Sequence, residues 1–81
     1  MNQTELFALF REVAEAIERH PLENVTPTSV IADLGIDSLD MMQIVGEMES
    51  RLDILIPDDQ LVKLETVDDL LKVVAGKLPP S

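Results

Sequence analysis

Residues 33–52 read Asp33-Leu34-Gly35-Ile36-Asp37-Ser38-Leu39-Asp40-Met41-Met42-Gln43-Ile44-Val45-Gly46-Glu47-Met48-Glu49-Ser50-Arg51-Leu52. From Ser38 onward the apolar residues return at helical spacing. Met41, Ile44, Val45, Met48 and Leu52 share one face, which predicts a helix from Ser38 to Leu52 with that face buried. Asp37 is placed to cap it, and Asp40 in the first turn complements the helix dipole. The same helix carries a second stripe, Leu39, Met42 and Gly46, at i, i+3 and i+7. A self-contained bundle needs only the first stripe.

Working outward, Leu6, Leu9, Phe10, Val13 and Ile17 predict an amphipathic helix over residues 4–20, capped by Asn2 or Thr4 and stopped by Pro21. Glu15 and Arg19 on it are spaced as an i, i+4 ion pair. Residues 21–37 form a long connection in which Val30, Ile31 and Leu34 are expected to pin a helical turn to the core. Downstream, Pro57 opens a short acidic helix from Asp58 to about Leu64, with Leu61 and Leu64 turned inward. Thr66 and Asp69 are spaced as a capping box for a last helix. Its buried face is Val67, Leu70, Leu71, Val74 and Leu78, and Pro79–Pro80 ends it. The fold class is therefore all-α: a four-helix bundle with three longer helices, one short third helix and a long first loop. Residues 1–81 make a single domain.

Composition narrows the function. The chain has 81 residues, of which 46% are hydrophobic and 27% charged, a globular balance rather than a disordered one. Sixteen acids against six bases give a net charge of −10, which excludes nucleic acid and anionic membranes as natural partners and favours proteins with basic patches. With no Cys, the chain has no disulfide, no thiolate metal site and no thiol nucleophile of its own. No basic leader precedes the first helix and no apolar run is long enough to span a bilayer, so a cytoplasmic protein is expected.

A search for catalytic groups returns little. His20 is the only histidine, and its place near the end of the first helix fits a cation stabilising the helix C-terminus. Without Cys or a second His there is no ordinary zinc site, and no base for a serine nucleophile. An EF-hand registered at Asp33 puts Ser38 at the sixth position, where Gly is needed, and Ile44 at the twelfth, where Glu is needed. No metal site is expected. What remains is Ser38, a hydroxyl at a helix N-terminus after a glycine-containing loop. Such a place suits a phosphate, although Ser is also common there merely as a helix-starting residue.

The Asp37-Ser38-Leu39-Asp40 segment, preceded by Asp33-Leu34-Gly35, resembles the phosphopantetheine attachment motif of acyl carrier proteins. Ile56-Pro57-Asp58-Asp59 is similar to that family's entry into the short third helix, and Glu65-Thr66-Val67 to the start of the fourth. The resemblance covers nearly the whole chain. It implies a four-helix carrier with no catalysis of its own, on which a phosphopantetheinyl transferase moves phosphopantetheine from coenzyme A to the Ser38 hydroxyl. Acyl groups then ride as thioesters on the cofactor's thiol, and the chemistry belongs to the cofactor and the partner enzymes. Acyltransferases, ketosynthases and other acyl-loading or acyl-processing enzymes with basic patches are the implied partners of a monomeric carrier.

The family also gives the second stripe a use. Leu39, Met42 and Gly46, flanked by Asp37, Asp40 and Glu47, resemble the surface such carriers show to their enzymes. Between Asp33 and Asp69 there are eleven acids and two bases, Arg51 and Lys63, for a net −9. Charge so concentrated speeds encounter and is weakened by salt. Glu5, Glu12 and Glu18 lie outside this region and are expected to be solvated surface charges. A cavity between the second and third helices, near Met48, Leu61 and Leu64, is also implied, although a plain packed core fits the same residues.

Three departures bear on the pathway. Fatty-acid carriers usually have Glu where Gln43 stands, a larger apolar residue where Gly46 stands and an acid where Ser50 stands. These differences favour a discrete carrier in polyketide or other specialised biosynthesis over fatty-acid synthesis. Met1 and the full set of helices point to a separate protein rather than a module of a larger synthase. A peptidyl or aminoacyl carrier is the nearest alternative, but those usually have Gly-Gly where Gly35-Ile36 stands. An acidic helical interaction or calcium-buffering protein without a prosthetic group is the other, and it gives Ser38 no special role.

Overall fold

Four α-helices and one 3-10 turn organise residues 1–78, the part of the chain described by a computed structural model. The helices are α1 (Gln3–Glu18), α2 (Ser38–Leu52), α3 (Asp58–Leu61) and α4 (Val67–Lys77), and the 3-10 turn is Ile31–Leu34. Among the described residues no helix is long and apolar enough to cross a membrane. Pro79–Pro80, expected to stop the last helix, lie outside the described residues.

Asn2 starts α1. Its side chain accepts the Glu5 N–H at 2.8 Å, and the Glu5 carboxylate accepts the Asn2 N–H at 3.1 Å, so Glu5 is a capping group rather than a bare surface charge. The helix ends at Glu18, two residues before the expected limit. Arg19 takes a left-handed conformation at φ 64°, and Pro21 disfavours helical geometry at His20. This early end undoes two expectations. Arg19 leaves the helical path, so Glu15 pairs with Arg11 instead, at 3.2 Å. His20 lies beyond the cap, with Nδ1 3.0 Å from the Pro21 carbonyl oxygen, rather than over the helix terminus.

The first loop is tied down by side chains and by backbone. Leu22, Val25 and Ile36 are buried, whereas Ile31 and Leu34 are half-buried and Val30 is exposed. Val30 anchors through its main chain, in an isolated antiparallel bridge to Thr66. Around that bridge the Ile31 N–H donates to the Glu65 carbonyl at 2.8 Å and the Val67 N–H to the Ser29 carbonyl at 3.0 Å. The loop thus reaches the entry of α4, where Thr66 and Asp69 form the expected capping box. Two backbone N–H groups, of Thr66 and then Glu65, hold the Asp69 carboxyl below its usual range.

Helix α3 is a single turn, not the longer piece expected to reach Leu64. Pro57 fixes the entry, and Asp58 and Asp59 suit its first turn. The chain must then turn back to Thr66, and Leu64 closes that turn by donating its N–H to the Leu61 carbonyl. The buried side chains form one cluster. Leu6 and Phe10 of α1, Ile44 and Met48 of α2, and Leu70, Leu71 and Val74 of α4 make its centre. Burying a side chain of this size contributes about 1.5–3 kcal/mol. Helix α2 is held along the face that its apolar spacing predicts, which turns the opposite face outward.

Candidate functional site

The head of α2 is built by three consecutive local preferences. Gly35 sits at φ 75° and ends the 3-10 turn, a conformation that costs other residues strain. Ile36 is buried and anchors the chain. Asp37 is extended, and its carboxylate accepts the Asp40 N–H at 2.8 Å, capping the helix. Ser38, the first helical residue, is left exposed. The backbone N–H groups of a first helical turn lack intrahelical acceptors, so the Ser38 hydroxyl lies where a phosphate is electrostatically favoured.

Beside Ser38 opens a cavity of about 820 Å³. Ile31, Met41, Val45, Leu61 and Leu64 are among its walls, with Asp37, Ser38 and Met42 also in its lining. Leu61 and Leu64 are where the implied cavity required them, but Met48 is not part of the lining. Met48 is fully buried in the bundle core, so Met41 and Val45 form the α2 wall instead. The space is lined mainly by apolar side chains and lies next to an exposed hydroxyl.

The second stripe of α2 faces outward. Leu39 is 67% and Met42 56% exposed. Gly46 is exposed as well, and a Cβ added there would meet no atom within 4 Å. Val62, 81% exposed and also lining the cavity, extends this apolar surface from α2 across to the end of α3. Periodicity within α2 could not reveal Val62, because it lies in the turn after another element.

The acids around the stripe are not equivalent. Asp37 is the helix cap. Glu47 is engaged by Arg51 Nε at 3.1 Å, and the same guanidinium reaches Glu12 of α1 at 3.3 Å. Glu12 is thus not a free surface acid, and Glu47 meets a partner only in competition with Arg51. Exposed pairs of this kind are worth about 0–1 kcal/mol, so the competition is weak. Glu18 also departs from expectation: its Oε2 is closed off from solvent, with no hydrogen-bond donor. The nearby Asp40 carboxyl pushes the Glu18 pKa above its ordinary range, and desolvation adds to this. Among the described residues no group of three or more His, Asp or Glu side chains is arranged to hold a metal ion.

Known proteins resemble this chain in sequence and fold. The family model for the phosphopantetheine attachment site covers residues 8–74. An acyl carrier protein of Sulfurovum sp. (strain NBC37-1) is 40% identical over 73 residues, spanning 83% of this chain and 95% of that protein. The 3-methylorcinaldehyde synthase of Phoma sp. is 48% identical over 46 residues, 57% of this chain but 2% of the synthase. The crystal structure of an acyl carrier protein from Thermotoga maritima superposes with a TM-score of 0.84 at 31% identity, covering 91% of this chain and 87% of that one.

Proposed function

The chain belongs to the acyl carrier protein family, and from that premise we propose that Ser38 Oγ is the atom to which its phosphopantetheine is attached. The function is that of an acyl carrier, with covalently bound phosphopantetheine as the cofactor. When bound, the cofactor supplies the thiol that carries acyl groups, which this Cys-free chain lacks. The observation that carries the Ser38 assignment is its exposure at the head of α2, in the lining of an apolar cavity. Asp37 caps the helix and Gly35 allows the turn, so together they hold the hydroxyl where a transferase can reach it.

The chain's role is attachment and presentation, and the partners are acyl-processing enzymes such as synthases. Within that class we favour a phosphopantetheinyl transferase, acyltransferases and ketosynthases that set basic groups against Asp37, Asp40 and Glu47. Leu39, Met42 and Gly46 form the apolar part of the same docking surface. The apolar cavity offers room for an acyl chain, with Leu61 and Leu64 on its α3 side. Gln43, Gly46 and Ser50 soften the charge and apolar contact on the recognition helix, which supports polyketide or other specialised biosynthesis over fatty-acid synthesis. A monomer in the cytoplasm, acting without catalysis of its own, belongs to the same proposal.

Incubation of the apo protein with coenzyme A and a broad-specificity phosphopantetheinyl transferase, followed by intact-mass measurement, tests the assignment. Wild type gains one adduct and Ser38→Ala gains none. An adduct kept by Ser38→Ala overturns it.

A further inference from the structure

One guanidinium holds two carboxylates from different helices. Arg51 Nε lies 3.1 Å from Glu47 of its own helix, and Arg51 Nη1 lies 3.3 Å from Glu12 of α1. All three residues are exposed. Asp40, Glu47 and Arg51 follow at i, i+7 and i+11, so they share the flank of α2 that faces α1. We propose that Arg51 fills a seat that would otherwise take a partner's basic side chain, which makes it a specificity-determining residue. The carrier then docks enzymes whose basic groups are gathered at the head of α2 and turns away those whose basic groups run its whole length. The proposal rests on the docking reading above and divides that surface. Asp37 and Asp40 are open to a partner's cations, whereas Glu47 is held back.

Two carboxylates drawn to one place repel each other unless a cation lies between them, and Arg51 is that cation. Each of its pairs is weak because the groups are exposed. Tethering compensates: a guanidinium carried on the same helix is present at high effective concentration, and an incoming cation has to displace it. Once displaced, Arg51 remains beside the intruder as a like charge. Such a juxtaposition costs more than an exposed pair gains. The same half of α2 offers few other acids. Gln43, Gly46 and Ser50 are uncharged, and Glu49 is bound to the Ile56 N–H at 2.6 Å. Asp53, the next acid, stands past the helix as its C-cap.

Distance keeps the two ends of the helix separate. At a rise of about 1.5 Å per residue, Arg51 is about 20 Å along α2 from Ser38. The screening length at physiological salt is about 8 Å, so Arg51 leaves a cation at Asp37 or Asp40 undisturbed. The head of α2 attracts basic groups while its far end rejects them. Removing Arg51 opens the seat and adds Glu47 and Glu12 to the acidic surface.

NMR titration of the full chain with two helical peptides tests this without cofactor or enzyme. The peptides have equal length and equal positive charge. One gathers its lysines in a single turn, and the other spreads them along one face to the length of α2. In Arg51→Ala the spread peptide should bind roughly tenfold tighter at low salt, with new shifts at the Glu47 and Glu12 amides, while the gathered peptide stays within about twofold. Arg51→Lys keeps the cation and should keep wild-type affinity for both. Adding Glu12→Gln and Glu47→Gln to Arg51→Ala should abolish the gain, whereas adding Glu23→Gln, in the first loop, should not. Equal affinity of wild type and Arg51→Ala for the spread peptide overturns the proposal alone. So does an equal gain for both peptides, or a gain that survives the loss of Glu12 and Glu47. Asp40→Lys should weaken the gathered peptide whether or not Arg51 is present; an unchanged affinity there overturns the docking reading and this proposal with it.

Discussion

Glu49 Oε2 accepts the backbone N–H of Ile56 at 2.6 Å, across the turn by which the chain leaves α2. The same device ends α1, where Glu15 Oε2 accepts the Leu22 N–H at 2.7 Å. In both places a non-glycine residue in the left-handed region, Asp53 or Arg19, donates its N–H to the glutamate's own carbonyl. Each glutamate therefore binds the helix end twice, once by backbone and once by side chain. Each also delivers a buried apolar residue, Ile56 or Leu22, into the core.

Removing the side-chain half of this clamp leaves a buried N–H without an acceptor. Glu49→Ala is expected to cost about 1–3 kcal/mol. Urea denaturation of the variant should show a lower midpoint at an unchanged m-value. Glu49→Gln keeps an oxygen acceptor and should lose less.

Acid lability should trace to Glu15 and Asp69. The Leu22 N–H holds the Glu15 carboxyl below its ordinary range, and the Thr66 and Glu65 N–H groups do the same for Asp69. A lowered folded pKa means stabilisation that is full above the unfolded values, about 4.3 for Glu and 3.9 for Asp, and is lost as pH falls through the folded ones. Glu15→Gln and Asp69→Asn should each flatten the decline of thermal midpoint in that acid window.

Gly46 lies inside a helix with open space where a side chain would be. Gly46→Ala is expected to stabilise the fold by about 0.5–1 kcal/mol, measured by chemical denaturation. Gly35→Ala should do the reverse, because φ 75° is costly for alanine. If Gly46 serves a docking partner, the more stable Gly46→Ala protein will be a poorer substrate for acyl-loading enzymes.

Docking should depend on the head of α2. Asp40→Lys or Met42→Glu is expected to lower kcat/KM for phosphopantetheine transfer by roughly tenfold at low salt, the equivalent of about 1.4 kcal/mol. The Asp40→Lys deficit should shrink as salt is added, and far-ultraviolet circular dichroism should remain that of wild type. Equal rates at low salt would remove these residues from the docking surface.

Helix α2 was legible because its signals agree: the Asp37 cap and the Asp40 first turn mark its start, and an unbroken apolar period carries it to about Leu52. Thr66 and Asp69 likewise announce α4 locally. Local patterns overreached where the chain's path decides. Helix α3 stops after one turn because the backbone must return to pair Thr66 with Val30. Met48 leaves the cavity because the core claims it. The Arg51 bridge from Glu47 to Glu12 joins residues of different helices. No spacing rule within one element registers such contacts. Exposure of Ser38, by contrast, follows directly from which face of α2 is buried.

The attachment atom is the claim on which the rest depends, and peptide mapping of the converted protein tests it most directly. After reaction with coenzyme A and a transferase, proteolysis and tandem mass spectrometry should place the whole adduct on the peptide containing Ser38 and resolve it to that side chain. An adduct on the peptide of Ser29 or Ser50, with Ser38 unmodified, would contradict the account.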